Sequence, residues 1–283
     1  MNYLGQVSAS GNGTVILYID GIQVTNPYTL PAYGTYTATA TSQETGRPIS
    51  DTATKQIEYS ESSFVATEYF WLEALEDNSV LAFNGTSELY YSTDKSTWTS
   101  FNTSITVNSG DRYYFKGSKS RFGNSSGTGT DTSNYFNLQT GKFKAGGNIM
   151  SMLYNDNFST VNSVDSNQLR AVFRNCKALV EAPELPFTNL NNYCYTHMFN
   201  SCSNLTKAPE ILPATTLYTR CYQWMFVGCT SLTIAPVLPA TNIHSNCYND
   251  MFNGCTSLNW IKNMTLVQPS TSNSWNMMYN VSQ

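Results

Sequence analysis

Short runs of alternating apolar and polar residues, separated by turn signals, occupy the first part of the chain. Residues 14–19 (Thr-Val-Ile-Leu-Tyr-Ile) and 22–25 (Ile-Gln-Val-Thr) lie on either side of the pair Asp20-Gly21. Asp and Gly tolerate the positive φ that a two-residue hairpin turn requires. Together with the run at residues 34–41, these segments predict an immunoglobulin-like β-sandwich over residues 1–60.

A second set of strand-like runs follows the serine-rich residues 60–63. Four of these runs have a spacing that suits an antiparallel sandwich: residues 69–75, 88–92, 104–107 and 112–116. We therefore expect a second β-sandwich domain over residues 64–150. The Gly/Ser-rich residues 123–130 contain too few apolar side chains to pack by themselves, which predicts an exposed loop.

From Phe173 onward the sequence repeats itself. The units have lengths of 26, 27, 26 and 26 residues, and they are Phe173–Met198, Phe199–Met225, Phe226–Met251 and Phe252–Met277. Periods in this range are typical of leucine-rich repeats, in which each unit supplies one strand and one helix or helical turn. The predicted fold class is therefore multidomain β + α/β, with two N-terminal β-sandwiches and a leucine-rich-repeat solenoid over residues 151–283.

Cysteines and phenylalanines recur with the repeat and are the predicted core of the stack. Cys221, Met225 and Cys229 lie four residues apart, a spacing that repeats one face of a helix. The predicted core consists of two cysteine columns and one phenylalanine column: Cys176, Cys202, Cys229 and Cys255; Cys194, Cys221 and Cys247; Phe173, Phe199, Phe226 and Phe252. We expect these thiols to be reduced and buried. Disulfides between neighbouring repeats are the alternative.

The cysteine spacing does not suit a metal site, because zinc sites use closely spaced pairs such as Cys-x-x-Cys. The two histidines, His197 and His244, are expected to be exposed, and neither is near a nucleophile in a recognisable arrangement. We therefore expect no catalytic residues, no metal and no cofactor, and a protein that is not an enzyme.

Composition narrows the choice of partners. Only 12% of the residues are charged and the net charge is −4, whereas nucleic-acid binding needs clustered Lys and Arg. We expect no nucleic-acid partner. A membrane helix needs about 18 or more consecutive apolar residues, and the sequence has no such run. Residues 1–7 lack the basic and apolar segments of a secretory signal, so export by that route is not expected.

Aromatic side chains are the candidate contact residues. Tyr195, Tyr222 and Tyr248 form a column that we expect to pack between repeats. The tryptophans instead lie at variable positions of the repeats, where repeat proteins carry ligand contacts. The predicted binding residues are Trp224, Trp260, Trp275, Gln223 and Asn249.

Three units, Met198–Leu205, Met225–Leu232 and Met251–Leu258, share the pattern Met-Phe-x-x-Cys-x-x-Leu, with Leu-Pro-Ala-Thr between them. In these residues the chain resembles the BspA-like leucine-rich repeats. Such repeats occur in surface proteins of gut Bacteroidetes and in virion proteins of the phages that infect them, including crAss-like phages. The resemblance implies attachment or display, and it brings no motif of catalytic residues.

The resemblance and the sequence together lead us to expect a bacteriophage virion structural protein, either a head fibre, a decoration protein or a tail fibre. The N-terminal domain would dock to other virion proteins, and the repeats would attach to a host surface or glycan. Such a protein, expected to be a homo-oligomer, would assemble in the host cytoplasm and lie on the virion surface. The alternative is a BspA-like adhesin or glycan-binding module on a bacterial cell surface.

Overall fold

A computed structural model describes the chain at residues 6–7, 14–19, 22–24, 28–29, 34–43, 51–59, 67–85, 88–123, 134–258 and 260–261. The chain divides into two compact units, Met1–Ser62 and Ser63–Gln283.

The described part of the N-terminal unit is made of six strands: β1 (Gln6–Val7), β2 (Thr14–Ile19), β3 (Ile22–Val24), β4 (Tyr28–Thr29), β5 (Gly34–Gln43) and β6 (Asp51–Tyr59). Four of them form an antiparallel sheet in the order β3-β2-β5-β6, and β1 pairs with β4. Ile19 lies opposite Ile22, which confirms the predicted hairpin between β2 and β3. On β2, Leu17 is buried.

The predicted immunoglobulin-like sandwich is wrong for this unit. Such a sandwich packs two multi-stranded sheets against each other, with about seven strands in all. Among the described strands only one sheet has four strands, and the other is the two-residue pairing of β1 with β4. The threonine-rich strand β5 instead forms a long antiparallel pairing with β6, from Gly34↔Tyr59 to Ser42↔Asp51.

In the described part of the second unit the first nine elements are short strands: β7 (Phe70–Ala74), β8 (Ser79–Leu81), β9 (Phe83–Asn84), β10 (Leu89–Ser92), β11 (Thr99–Ser100), β12 (Ile105–Val107), β13 (Arg112–Gly117), β14 (Tyr135–Phe136) and β15 (Phe143–Gly146). Along β7, Phe70, Leu72 and Ala74 are buried, whereas the residues between them are partly exposed. This alternation turns one face of the sheet toward the core.

The remaining elements belong to the repeat region: α1 (Ser151–Tyr154), a 3-10 helix (Asn155–Thr160), β16 (Ser163–Val164), β17 (Leu179–Glu181), β18 (Asn189–Leu190), β19 (Thr216–Leu217), β20 (Ile234–Ala235), β21 (Asn242–Ile243) and β22 (Trp260–Ile261). The main sheet has the order β11-β10-β13-β7-β15-β17, so its last strand comes from the first repeat. β17 pairs with β15 in parallel, and the expected separate second sandwich is wrong for this reason.

Neighbouring repeats pair in parallel, one repeat length apart. β16 pairs with β18, β19 with β21, and β20 with β22. Between these strands the chain forms consecutive turns, in which every fourth residue has a positive φ. Four turn segments of the described residues show the pattern in full: Asn167, Ala171 and Asn175; Tyr193, His197 and Ser201; Arg220, Trp224 and Gly228; Asn246, Asp250 and Gly254.

These turn segments also bond to one another. The Tyr195 N–H donates to the Cys221 carbonyl oxygen at 3.0 Å, and the Tyr222 N–H donates to the Cys247 carbonyl oxygen at 3.1 Å. In a helix the same N–H groups would donate to carbonyls within their own segment. Here every second N–H satisfies a carbonyl of the next repeat, which fixes the stacking register.

The predicted leucine-rich-repeat solenoid is wrong. The described residues are mostly β-sheet, in several small sheets, with one short α-helix, Ser151–Tyr154. A residue in the left-handed region at every fourth position ends a helix before it can form. The four-residue spacing of Cys221, Met225 and Cys229 therefore comes from successive turns and not from a helix.

A column of phenylalanine rings joins the β region to the repeats. Phe136 of β14 stacks on Phe173 at 5.5 Å between ring centroids, and the stack continues through Phe199, Phe226 and Phe252 at 5.6, 5.4 and 5.6 Å. Phe136 also packs edge-on against Phe115 at 5.3 Å. The repeats therefore extend a single apolar core that begins in the main sheet.

Candidate binding surface

All seven cysteines are free and fully buried. Four of their thiols donate to the backbone of the preceding layer: Cys176 to Phe136 O at 2.9 Å, Cys202 to Phe173 O at 2.9 Å, Cys229 to Phe199 O at 3.1 Å, and Cys255 to Phe226 O at 3.0 Å. Burial raises the pKa of the Cys176 and Cys255 thiols to about 12, because no water solvates the thiolate. These groups are neutral donors in the core.

The second cysteine column has the same role. Cys221 donates to Asn191 O at 3.1 Å, and Cys247 donates to Tyr218 O at 2.9 Å. Burial, and then the neighbouring Cys221 thiol, raise the pKa of Cys194 well above its ordinary value. Along the chain, Cys194 and Cys202, one from each column, lie on either side of the buried Met198 and Phe199.

Trp224 is half-buried and is held on two sides. Its ring stacks on His197 at 4.7 Å between centroids, and its Nε1 donates to Asp250 Oδ2 at 3.2 Å. His197, Trp224 and Asp250 occupy equivalent positions of three successive repeats, and all three have positive φ. Much of the Trp224 side chain is therefore occupied by contacts with neighbouring repeats.

Gln223 and Asn249, the other predicted binding residues whose side chains the structure describes, are not exposed. Gln223 is only 3% exposed, and its Oε1 has no hydrogen-bond partner in the described part of the chain. Asn249 is half-buried. Trp260 lies in β22, opposite Ile234, and Trp275 lies outside the described residues.

His197 is buried, contrary to the expectation from the sequence, whereas His244 is exposed. The Nδ1 atom of His197 lies 3.2 Å from Asn200 Nδ2. Burial, followed by the charges of Arg174 and Arg170, lowers the pKa of His197 to about 3. A neutral imidazole in this position packs against Trp224 and can accept a hydrogen bond from Asn200.

Among the described residues, an exposed aromatic pair lies just after two paired strands. Leu217 of β19 is buried, so the next residue, Tyr218, points outward and is 44% exposed. His244 follows the half-buried Ile243 of β21 and is also exposed, and its ring stacks on Tyr218 at 5.2 Å between ring centroids. An aromatic column therefore faces solvent at the edge of the repeats.

A second contact adjoins this pair. The guanidinium of Arg220 lies 5.5 Å from the ring centroid of Tyr193, a cation–π arrangement. The Tyr193 N–H donates to Thr219 O, and the Arg220 N–H donates to Ser245 O, both at 3.0 Å. We call Tyr193, Tyr218, Arg220 and His244 the aromatic patch. It combines flat apolar rings with polar edges and one cation.

The sequence contains a signal for this patch that the tryptophan positions do not show. Tyr218 and His244 occupy the same position of successive repeats, one residue after the short strand. A ring repeated at the position that follows the inward-facing Leu or Ile of a strand indicates a surface column. The alternation of the strand, rather than residue type alone, identifies it.

No helix of the described residues has the length and apolar character to cross a membrane. Within those residues there is likewise no group of three or more His, Cys, Asp or Glu side chains that could hold a metal ion. Comparisons of the chain with known protein families, with curated proteins and with solved structures found no match.

Proposed function

We propose that the chain is a structural protein of a phage virion, a head fibre, decoration protein or tail fibre, that attaches the particle to a host-surface glycan. The aromatic patch is the observation that carries this proposal. Tyr218 is 44% exposed and stacks on His244, and the residues that directly follow them, Thr219 and Ser245, bring their hydroxyl oxygens within 3.4 Å of each other. Rings with polar tips and neighbouring hydrogen-bonding groups suit a weakly charged sugar surface.

The support for a virion comes from the thiols. Seven fully buried free cysteines suit a protein that folds in a reducing cytoplasm and is not oxidised on export. A phage protein assembles in the host cytoplasm and then lies on the virion surface. The same patch would serve a bacterial cell-surface adhesin, so the location is tested separately from the binding.

Binding is tested with the full chain displayed in many copies on beads, because a single sugar site is weak and multivalency raises avidity by roughly 10² or more. We expect Tyr218→Ala with His244→Ala to reduce binding to host cells and to their capsular glycans by about tenfold or more. Tyr90→Ala is the matched control, since Tyr90 is 39% exposed but lies on β10, far from the repeats in sequence. Equal binding by the patch variant and the parent would rule out the glycan role.

Location is tested by mass spectrometry of purified phage particles, in which the chain should be present in several copies. We further propose that the N-terminal unit, Met1–Ser62, docks to other virion proteins and that the chain is a homo-oligomer. Removal of residues 1–62 should then abolish incorporation while the second unit still binds glycan. Detection on bacterial cells that carry no phage would favour the adhesin.

A further inference from the structure

Lys119 is a buried lysine beside an asparagine amide. It lies just after β13, and only 2% of the residue is exposed to solvent. Its Nζ donates to the Oδ1 atom of Asn134 at 3.1 Å and lies 5.4 Å from the ring centroid of Phe83. The amide carbon of Asn134 is one bond beyond the oxygen that Nζ contacts.

The surroundings hold this pair in place. Phe83 packs against Phe122 and Phe136, at 6.2 and 5.3 Å between ring centroids. Gly85 lies against the amide, because a Cβ at that position would be 2.6 Å from Asn134 Oδ1. A larger residue at position 85 would push the amide away. The Asn134 backbone is also fixed, since Gly123 N donates to its carbonyl oxygen at 3.2 Å.

The environment of the Lys119 amine also favours its reactive, neutral form. Burial lowers the pKa of Lys119, and the negative charge of Glu88 partly opposes this shift. A lowered pKa increases the fraction of neutral amine, which is the nucleophilic form of lysine. A neutral amine held beside a fixed amide gains in reactivity from proximity and orientation.

We propose that Lys119 and Asn134 join through an isopeptide bond between Lys119 Nζ and Asn134 Cγ. The lone pair of Nζ attacks Cγ, and the Cγ–Nδ2 bond breaks as the new C–N bond forms. One of the two Nζ protons of the neutral amine moves to Nδ2, which leaves as ammonia. The other proton stays on the new amide nitrogen, so no oxidant, reductant or further reactant is consumed.

The bond would close the segment between β13 and β14, which contains the Gly/Ser-rich residues 123–130. A covalent tie across 15 positions restricts the unfolded chain, as a disulfide does. It would need no oxidation, and it would therefore form in the same reducing conditions that keep the seven cysteines free. β14 carries Phe136, the first ring of the phenylalanine column, so the tie would anchor the end of the repeat core.

The test is the intact mass of the freshly purified full chain, measured after denaturation and reduction. We expect a mass lower than the sequence mass by one molecule of ammonia. After trypsin digestion, residues 117–121 should remain uncleaved at Lys119 and be joined to residues 122–142 in one branched peptide. The sequence mass for the parent, with free Lys119 in its tryptic peptides, would overturn the proposal.

Three variants make the assignment specific. Lys119→Met and Asn134→Ala should each show their full calculated mass, whereas Lys177→Met, which removes an exposed lysine, should keep the loss of ammonia. Asparagine followed by glycine, as at Asn84-Gly85 and Asn253-Gly254, can also lose ammonia by closing on its own backbone. That loss would persist in Lys119→Met, and its persistence would contradict the bond to Lys119.

Discussion

The Sγ atom of Cys229 donates a hydrogen bond to the carbonyl oxygen of Phe199, 3.1 Å away in the preceding repeat. The same oxygen accepts the N–H of Cys202, also at 3.1 Å, which closes a turn within that repeat. One carbonyl thus joins a turn to the repeat that stacks on it. The cysteine is small enough to be buried there and still supplies a donor.

Replacement of Cys229 by serine tests this arrangement. The hydroxyl can donate to Phe199 O, but its shorter bond reaches less far, and it costs more to bury than a thiol. We expect the free energy of unfolding to fall by about 1–3 kcal/mol, measured by urea denaturation under reducing conditions. Thr233→Ser is the control at an exposed position of the same repeat and should change stability by less than about 0.5 kcal/mol.

The buried thiols also predict a loss of stability in alkali. Burial raises the pKa of Cys176 and Cys255 from 9.0 to about 12. Their contribution to stability is complete below pH 9 and is lost as the pH rises toward 12, because only the unfolded chain can release the protons. The expected slope is about 1.4 kcal/mol per pH unit for each thiol that titrates on unfolding.

This slope is measured by urea denaturation with a reductant at about pH 8 and about pH 10. Buried Tyr195 and Tyr222 have raised pKa values from burial and contribute in the same direction at higher pH. In the double variant Cys176→Ala with Cys255→Ala the decrease should be smaller than in the parent. An equal decrease in both proteins would show that these thiols ionise as readily in the fold as outside it.

The repeat period was a reliable guide to which residues lie side by side, but not to the local conformation. Residues one period apart, such as Ile234 and Trp260, do pair in parallel strands. The spacing of four between Cys221 and Met225 was interpreted as a helix, because a helix places every fourth side chain on one face. Consecutive four-residue turns do the same, so apolar spacing alone cannot distinguish them.

The residue types at the left-handed positions did not indicate turns consistently. Gly or Asn at every fourth position would have indicated turns, and Gly228, Asn246 and Gly254 follow this rule. Tyr193, His197, Arg220 and Trp224 do not follow it, although their φ values are close to +60°. The hydrogen bonds between repeats compensate for this local strain, and no single repeat contains that information.

The strain predicts opposite effects for two substitutions. Ala171 has φ +55°, so Ala171→Gly should relieve about 1–2 kcal/mol of steric cost and lose about 0.5–1 kcal/mol of entropy, a net gain in stability. Gly228 has φ +69°, and a Cβ there would find its nearest neighbour at 3.7 Å. Gly228→Ala should therefore cost about 1 kcal/mol from the backbone alone.

Thermal and urea unfolding measure both of these changes. Ala208→Gly is the control, because Ala208 is buried and is not among the residues with positive φ in the described part of the chain. This control should lose about 0.5–1 kcal/mol, the usual entropic cost of glycine. If Ala171→Gly loses as much as Ala208→Gly, the left-handed conformation at position 171 is incorrect.

His197 predicts a loss of stability in acid. Burial, together with Arg174 and Arg170, lowers its pKa from 6.5 to about 3, so the folded chain keeps the imidazole neutral while the unfolded chain binds a proton. The stabilising contribution of His197 is complete above pH 6.5 and is lost as the pH falls toward 3, by about 1.4 kcal/mol per pH unit. Carboxylates also titrate in this range, so the measurement is the difference between the parent and His197→Gln in urea denaturation at about pH 7 and about pH 5.

His197→Gln should be less stable at neutral pH, since the ring stacked on Trp224 is lost, but its stability should fall less steeply with acid. Parallel curves for the parent and His197→Gln would mean that His197 is protonated as easily in the stack as in water, and that its ring is not buried against Trp224.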